Sequence, residues 1–135
     1  MKGKGWFILT LLLLIILLSG CGRSTETTAI EDMQLEPIQV ELLVTPDGAK
    51  AGDKVTFSAK VTQHGEDVND AAEVMFEFWK TGDDKAEHSK VTVKGTGKGT
   101  YVLEHKFNEP GTYKVISHVT ARDQHSMPSK QFTVN

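Results

Sequence analysis

From Pro37 onward the chain alternates apolar and polar residues with a period of two, and clusters of Gly, Asp or Pro break the alternation every eight to twelve positions. A period of two puts every second side chain on the same face of a strand, so this part of the chain must fold as sheets that bury one face. Ile38, Val40, Leu42 and Val44 share one face of a first strand, which Pro46-Asp47-Gly48 ends. Val55, Phe57, Ala59 and Val61 share one face of a second, which stops at His64-Gly65-Glu66-Asp67. Further strands are expected over Val74 to Trp79, about His88 to Lys94, Thr100 to Phe107, Thr112 to Ala121 and Ser129 to Val134, making seven. The glycines of Gly95-Thr96-Gly97-Lys98-Gly99 read as a hairpin turn, because no helix follows to present amides to a phosphate. Apolar residues nowhere hold a 3.6-residue period over three turns between 37 and 135; a short turn at Val68 to Ala72 is the sole helical candidate.

The run Pro110-Gly111-Thr112-Tyr113 sets a tyrosine at a strand start behind a glycine turn, which resembles the tyrosine corner of immunoglobulin-like domains. The expected fold is therefore all-β, an immunoglobulin-like, seven-stranded antiparallel Greek-key sandwich. Its core should contain Val40, Val55, Phe57, Val61, Val74, Phe76, Phe78, Tyr113, Val115 and Phe132.

Ahead of this domain stands a different kind of segment. Lys2 and Lys4 precede an apolar stretch from Trp6 to Leu18, interrupted only by Thr10, and Leu18-Ser19-Gly20-Cys21 follows. That arrangement resembles a bacterial lipoprotein signal, with small residues at the cleavage point and a cysteine directly behind them. Thirteen residues of helix reach about 20 Å, short of the ~30 Å hydrocarbon core, so a membrane span is disfavoured. The resemblance implies cleavage of residues 1–20, acylation of Cys21 with diacylglycerol, and a home on the extracytoplasmic face of the cell membrane. Cys21 is the only cysteine, which leaves no partner for a disulfide within the chain. Residues 21–36 are polar and without apolar period, as a tether would be. Residues 37–135 form the single domain that this length supports.

With Lys2 and Lys4 removed, thirteen basic residues face eighteen acidic ones. This acidic balance, without a basic stripe or an aromatic ladder, excludes nucleic acid as a partner. Nucleophile elbow, HExxH and dinucleotide fingerprints are all missing from the sequence, so an enzyme is not expected.

The chemistry that remains belongs to His64, His88, His105, His118 and His125, with Met33, Met75 and Met127. If Arg122-Asp123 is a two-residue hairpin turn, Phe132 falls opposite Tyr113 on the core face, as their apolar character requires. The same register sets Met127 opposite His118 and His125 opposite Thr120, all on the outer face, within cross-strand reach of about 4.5–5.5 Å between Cβ atoms. Lys130 would then point inward and Pro128 cannot donate to the ladder, so a bulge could shift this register. With Val74, Phe76 and Phe78 in the core, Met75, Glu77 and Trp79 face outward on a neighbouring strand, unless Trp79 is a core tryptophan. Glu77 could then orient an imidazole from behind. Imidazole and thioether together suit copper, Cu(I) above all. His64 is expected in a solvated turn, His105 at the hydrogen-bonded edge of the core, and His88 is a secondary candidate.

The motifs Glu77-Phe78-Trp79, Gly111-Thr112-Tyr113, His118-Val119-Thr120-Ala121-Arg122 and His125-Ser126-Met127-Pro128, in this order behind such a signal, resemble the YtkA-like domain family, which is related to the FixH group. The resemblance covers roughly 37–134. It implies copper handling in support of envelope or respiratory metalloproteins, with His118, His125 and Met127 as metal ligands and Glu77, Trp79 and Met75 as their neighbours. The alternative is a metal-free interaction module that docks an envelope protein through an outer face carrying Trp79, Ile116 and Met75.

Overall fold

The computed structural model describes residues 36–135. The signal over 1–20, Cys21 and all of the 21–36 tether except Glu36 lie outside the described residues.

Ten strands follow one another: β1 (Gln39–Thr45), β2 (Lys54–Gln63), β3 (Glu66–Asp67), β4 (Glu73–Lys80), β5 (Ser89–Val93), β6 (Gly95–Gly97), β7 (Thr100–Lys106), β8 (Gly111–Ala121), β9 (Gln124–Ser126) and β10 (Ser129–Val134). Each of the seven expected segments is among them. The other three, β3, β6 and β9, are two- or three-residue pieces that extend hairpins beyond the apolar alternation. Val68 to Ala72 forms no helix; it is irregular, with Val68 fully buried.

All strand pairs are antiparallel, in two sheets. One sheet has the order β1-β2-β7-β6 with β3 on β2, and the other β10-β8-β4-β5 with β9 on β8. Between them lies one core that includes Val55, Phe57, Val61, Val74, Phe76, Phe78, Val115 and Phe132. Val40 is only partly buried, because β1 ends its sheet and covers the core from one side. Tyr113 is buried and its hydroxyl donates to the Glu109 carbonyl at 2.8 Å, the corner contact that the glycine turn suggested. Gly99 is required where it stands. Its φ of +65° suits glycine, and a Cβ there would run into the Val61 carbonyl oxygen.

The β8–β10 register is the one that sets Phe132 opposite Tyr113. Arg122 and Asp123 both take positive φ, 51° and 59°, as a two-residue turn of mirror-image type demands. No bulge is needed. The same register holds on both sides of Pro128, with Val119 opposite Ser126 and Ile116 opposite Ser129. Pro128 interrupts the ladder because it has no N–H, yet its carbonyl still accepts from Ser117 N–H at 3.0 Å. Lys130 lies opposite Val115 but remains exposed, because β10 is an edge strand and leaves the long side chain a way out.

One core position departs from apolar packing. Ser117 is fully buried opposite Phe76, and its hydroxyl is the one buried side-chain polar atom without a partner among the described residues. An unpaired buried hydroxyl costs roughly 1–3 kcal/mol. Ser117→Ala should therefore raise the unfolding free energy by about 1 kcal/mol after the small loss of packing. Urea unfolding checks this, and a destabilised variant would show that the hydroxyl has a partner in solution.

Candidate functional site on the outer face of one sheet

Because β4 alternates strictly, burying Val74, Phe76 and Phe78 turns Met75, Glu77 and Trp79 outward. On β8, burial of Val115, Ser117 and Val119 turns Ile116, His118 and Thr120 outward in the same way. The ladders then build rows across the face. Met75 pairs with His118, Glu77 with Ile116 on one side and Lys90 on the other, and His125 with Thr120. Continuing the register that pairs Val119 with Ser126 and Ile116 with Ser129 puts Met127 across from His118, at the break beside Pro128 where no ladder pair forms. His118 therefore stands in a row between two thioethers, Met75 from β4 and Met127 from the hairpin arm.

Glu77 is the electrostatic centre of the face. Its Oε2 lies 2.6 Å from His118 Nε2 and its Oε1 lies 2.7 Å from His88 Nδ1, with Lys90 Nζ at 3.9 Å. Hydrogen bonding from His88 is the largest cause holding its carboxyl below the usual range; partial desolvation works against this, and His118 and Lys90 add to the lowering. An ionised carboxylate can only accept, so both imidazoles present N–H to it. The ring nitrogens turned away from the carboxylate are His118 Nδ1 and His88 Nε2, and a carboxylate on the opposite nitrogen is the arrangement found behind metal-bound histidines.

The remaining members differ in exposure and attachment. His118 is 17 % exposed, whereas Met127 is 53 % exposed. The His118 and His125 rings lie 6.0 Å apart, centre to centre, and His125 Nδ1 is 2.8 Å from the Thr120 hydroxyl. Among the described residues no three His, Cys, Asp or Glu side chains converge on a point that would hold a metal ion. A metal on this face must therefore draw on the thioethers. Two thioethers flanking an imidazole, with a second imidazole at hand, form a soft donor set that fits Cu(I).

The structure decides three sequence readings here, and the outward placement of Trp79 is the one expected. Trp79 is not a core residue; it faces outward, stacks on His88 with ring centres 4.0 Å apart and planes 8° apart, and has Lys114 Nζ over it at 5.8 Å. His88, a secondary candidate by sequence, is tied to the central carboxylate. His105 is held by rings rather than as the expected hydrogen-bonded edge residue, 4.7 Å from Phe78 and 4.8 Å from Phe107, and burial pushes its imidazole below the usual range. It lines an open cleft of about 340 Å³ that Trp79 also borders and that His118 does not reach. Exposed His64 pairs with Glu36 at 2.7 Å and takes no part in the face.

These features define a small all-β sandwich that carries a histidine and methionine face on one sheet. The chain belongs to the YtkA-like family, which it matches over residues 32–118. The match stops at His118, so the His125-Ser126-Met127-Pro128 motif lies beyond it. Comparison with curated proteins gives no match. Among solved structures, an engineered protein (Northeast Structural Genomics Consortium Target OR128) aligns with a TM-score of 0.53 at 18 % identity. The alignment covers 72 % of this chain but only 20 % of that one, a likeness of fold alone. The soluble domain of PmoD from Methylocystis sp. ATCC 49242 (Rockwell) aligns at a TM-score of 0.47 and 18 % identity, covering 73 % of this chain and 90 % of that one. Superoxide reductase (neelaredoxin) from Ignicoccus hospitalis aligns at 0.48 and 17 %, covering 82 % of this chain and 89 % of that one.

Proposed function

We propose that this YtkA-like protein is a lipoprotein anchored to the extracytoplasmic face of the cell membrane that binds Cu(I) on the outer face of one sheet, as an accessory factor for envelope or respiratory metalloproteins. The observation that carries this reading is the row Met75, His118 and Met127, with His125 on the neighbouring row and Glu77 orienting His118. These residues would hold the metal, and the protein's part is to keep soft donors together while excluding hard ones. Catalysis has no role in this reading. A metal-free docking surface fits the face less well. Trp79 is already covered by His88 and approached by Lys114, and Met127 and Leu43 are the only large apolar residues that are strongly exposed among the described residues. Competition of the full chain with a chromophoric Cu(I) chelator tests the copper reading; absence of stoichiometric uptake would leave docking as the better account.

The anchor has its own test. Cys21→Ser is expected to leave an unprocessed precursor that retains residues 1–20, because the acylated cysteine is what the lipoprotein pathway recognises. Mass spectrometry of the membrane fraction checks it. Native protein without lipid, or a variant cleaved and released like an ordinary secreted protein, would overturn the anchor.

A further inference from the structure

We infer that His88 sets the metal selectivity of this face: by occupying Glu77 Oε1 it keeps the carboxylate out of the donor set, favouring Cu(I) and disfavouring divalent zinc. This rests on the copper reading above. Glu77 is the only acidic side chain that bonds His118 among the described residues, and a carboxylate beside two imidazoles is a donor set that hard and borderline divalent ions accept. Here each of its oxygens already has an imidazole on it, His118 at 2.6 Å from one and His88 at 2.7 Å from the other, and these contacts hold the carboxylate in place.

His88 itself is 40 % exposed and precedes an edge strand, so the bond to Glu77 alone would hold it poorly. The parallel stack on Trp79 supplies the second restraint. Trp79 and Glu77 share the outer side of β4, two residues apart, so one short strand positions both the ring that His88 lies against and the oxygen it bonds. The free nitrogen of His88 is on the far side of its ring from the carboxylate. His88 therefore works as a positioning residue through Glu77 and not as a ligand beside His118.

Removing the lock should release Oε1, so that Glu77 can turn to a cation together with His118 and His125. In the full chain, His88→Ala is expected to bind Zn(II) about tenfold or more tighter than wild type, with Cu(I) affinity changed by much less. Trp79→Leu should move zinc affinity in the same direction, and Glu77→Gln added to His88→Ala should return it to the wild-type value. Competition against separate Zn(II) and Cu(I) chelators reads the two metals independently. Unchanged zinc affinity in His88→Ala, or a gain that survives Glu77→Gln, would overturn the inference, as would a tenfold loss of Cu(I), which would make His88 a ligand. Wild-type protein that takes up no Cu(I) would sink the copper reading, while the zinc comparison would still decide the role of His88.

Discussion

Phe57→Ala is expected to lower the unfolding free energy by about 3–5 kcal/mol, the largest stability effect of any single truncation in the domain. The ring is fully buried on β2 and meets four others: Phe76 at 5.9 Å, Phe78 at 5.4 Å, Phe107 at 6.1 Å and Phe132 at 5.5 Å between centres. Phe76, Phe78 and Phe132 belong to the opposite sheet, so Phe57 is the side chain through which the two sheets hold each other. Removing it forfeits the transfer of a large apolar group and leaves a cavity that the surrounding rings, fixed on antiparallel ladders, cannot close. Since domains of this size are stable by only about 5–15 kcal/mol, such a variant is near the limit of folding. Leu43→Ala supplies the contrast: Leu43 is 45 % exposed, and its loss should fall within about 0.5 kcal/mol. Urea unfolding of both variants checks the pair. A Phe57→Ala protein as stable as Leu43→Ala would mean that the sheets are not packed through this residue.

The sandwich was legible because its information is local and repetitive. A strand with one buried face writes that face at every second residue, and Val55-Phe57-Ala59-Val61 and Val74-Phe76-Phe78 do so without interruption. The β8–β10 register was legible for a related reason, since a one-residue slip would have exposed Phe132 or Tyr113. The short strands β3, β6 and β9 were not, because two or three residues at a hairpin end carry no period. Part of the site was equally hidden. His118, His125 and Met127 could be placed from one hairpin, but His88 sits ahead of an edge strand whose start no apolar pattern fixes. Its bond to Glu77 and stack on Trp79 depend on how the β4–β5 connection folds back over the sheet. In the fold, Glu77 pairs with Lys90, which brings the start of β5 within reach of the carboxylate.

Combining His118→Ala with Met127→Ala should abolish high-affinity Cu(I) uptake and leave the fold intact. His118 is the residue that every other donor on the face adjoins: Met75 is its ladder partner, Met127 its opposite number at the Pro128 break, and His125 its ring neighbour at 6.0 Å. Without it, Met75 and His125 remain on different strands with no donor between them. The expected loss exceeds the about 10–100-fold that follows removal of a carboxylate behind a metal-bound histidine, so Glu77→Gln, which removes the carboxylate that holds the His118 and His88 rings, should fall between wild type and the double variant. Met75→Leu and Met127→Leu keep side-chain volume while removing sulfur, and each should weaken Cu(I) with little change in stability. If the thioethers bind the metal, Met75→Leu acts as strongly as Met127→Leu although Met75 is partly buried and Met127 is 53 % exposed. If uptake survives the double variant, the row across β4, β8 and the hairpin arm is only a polar surface, and the affinity resides elsewhere on the chain.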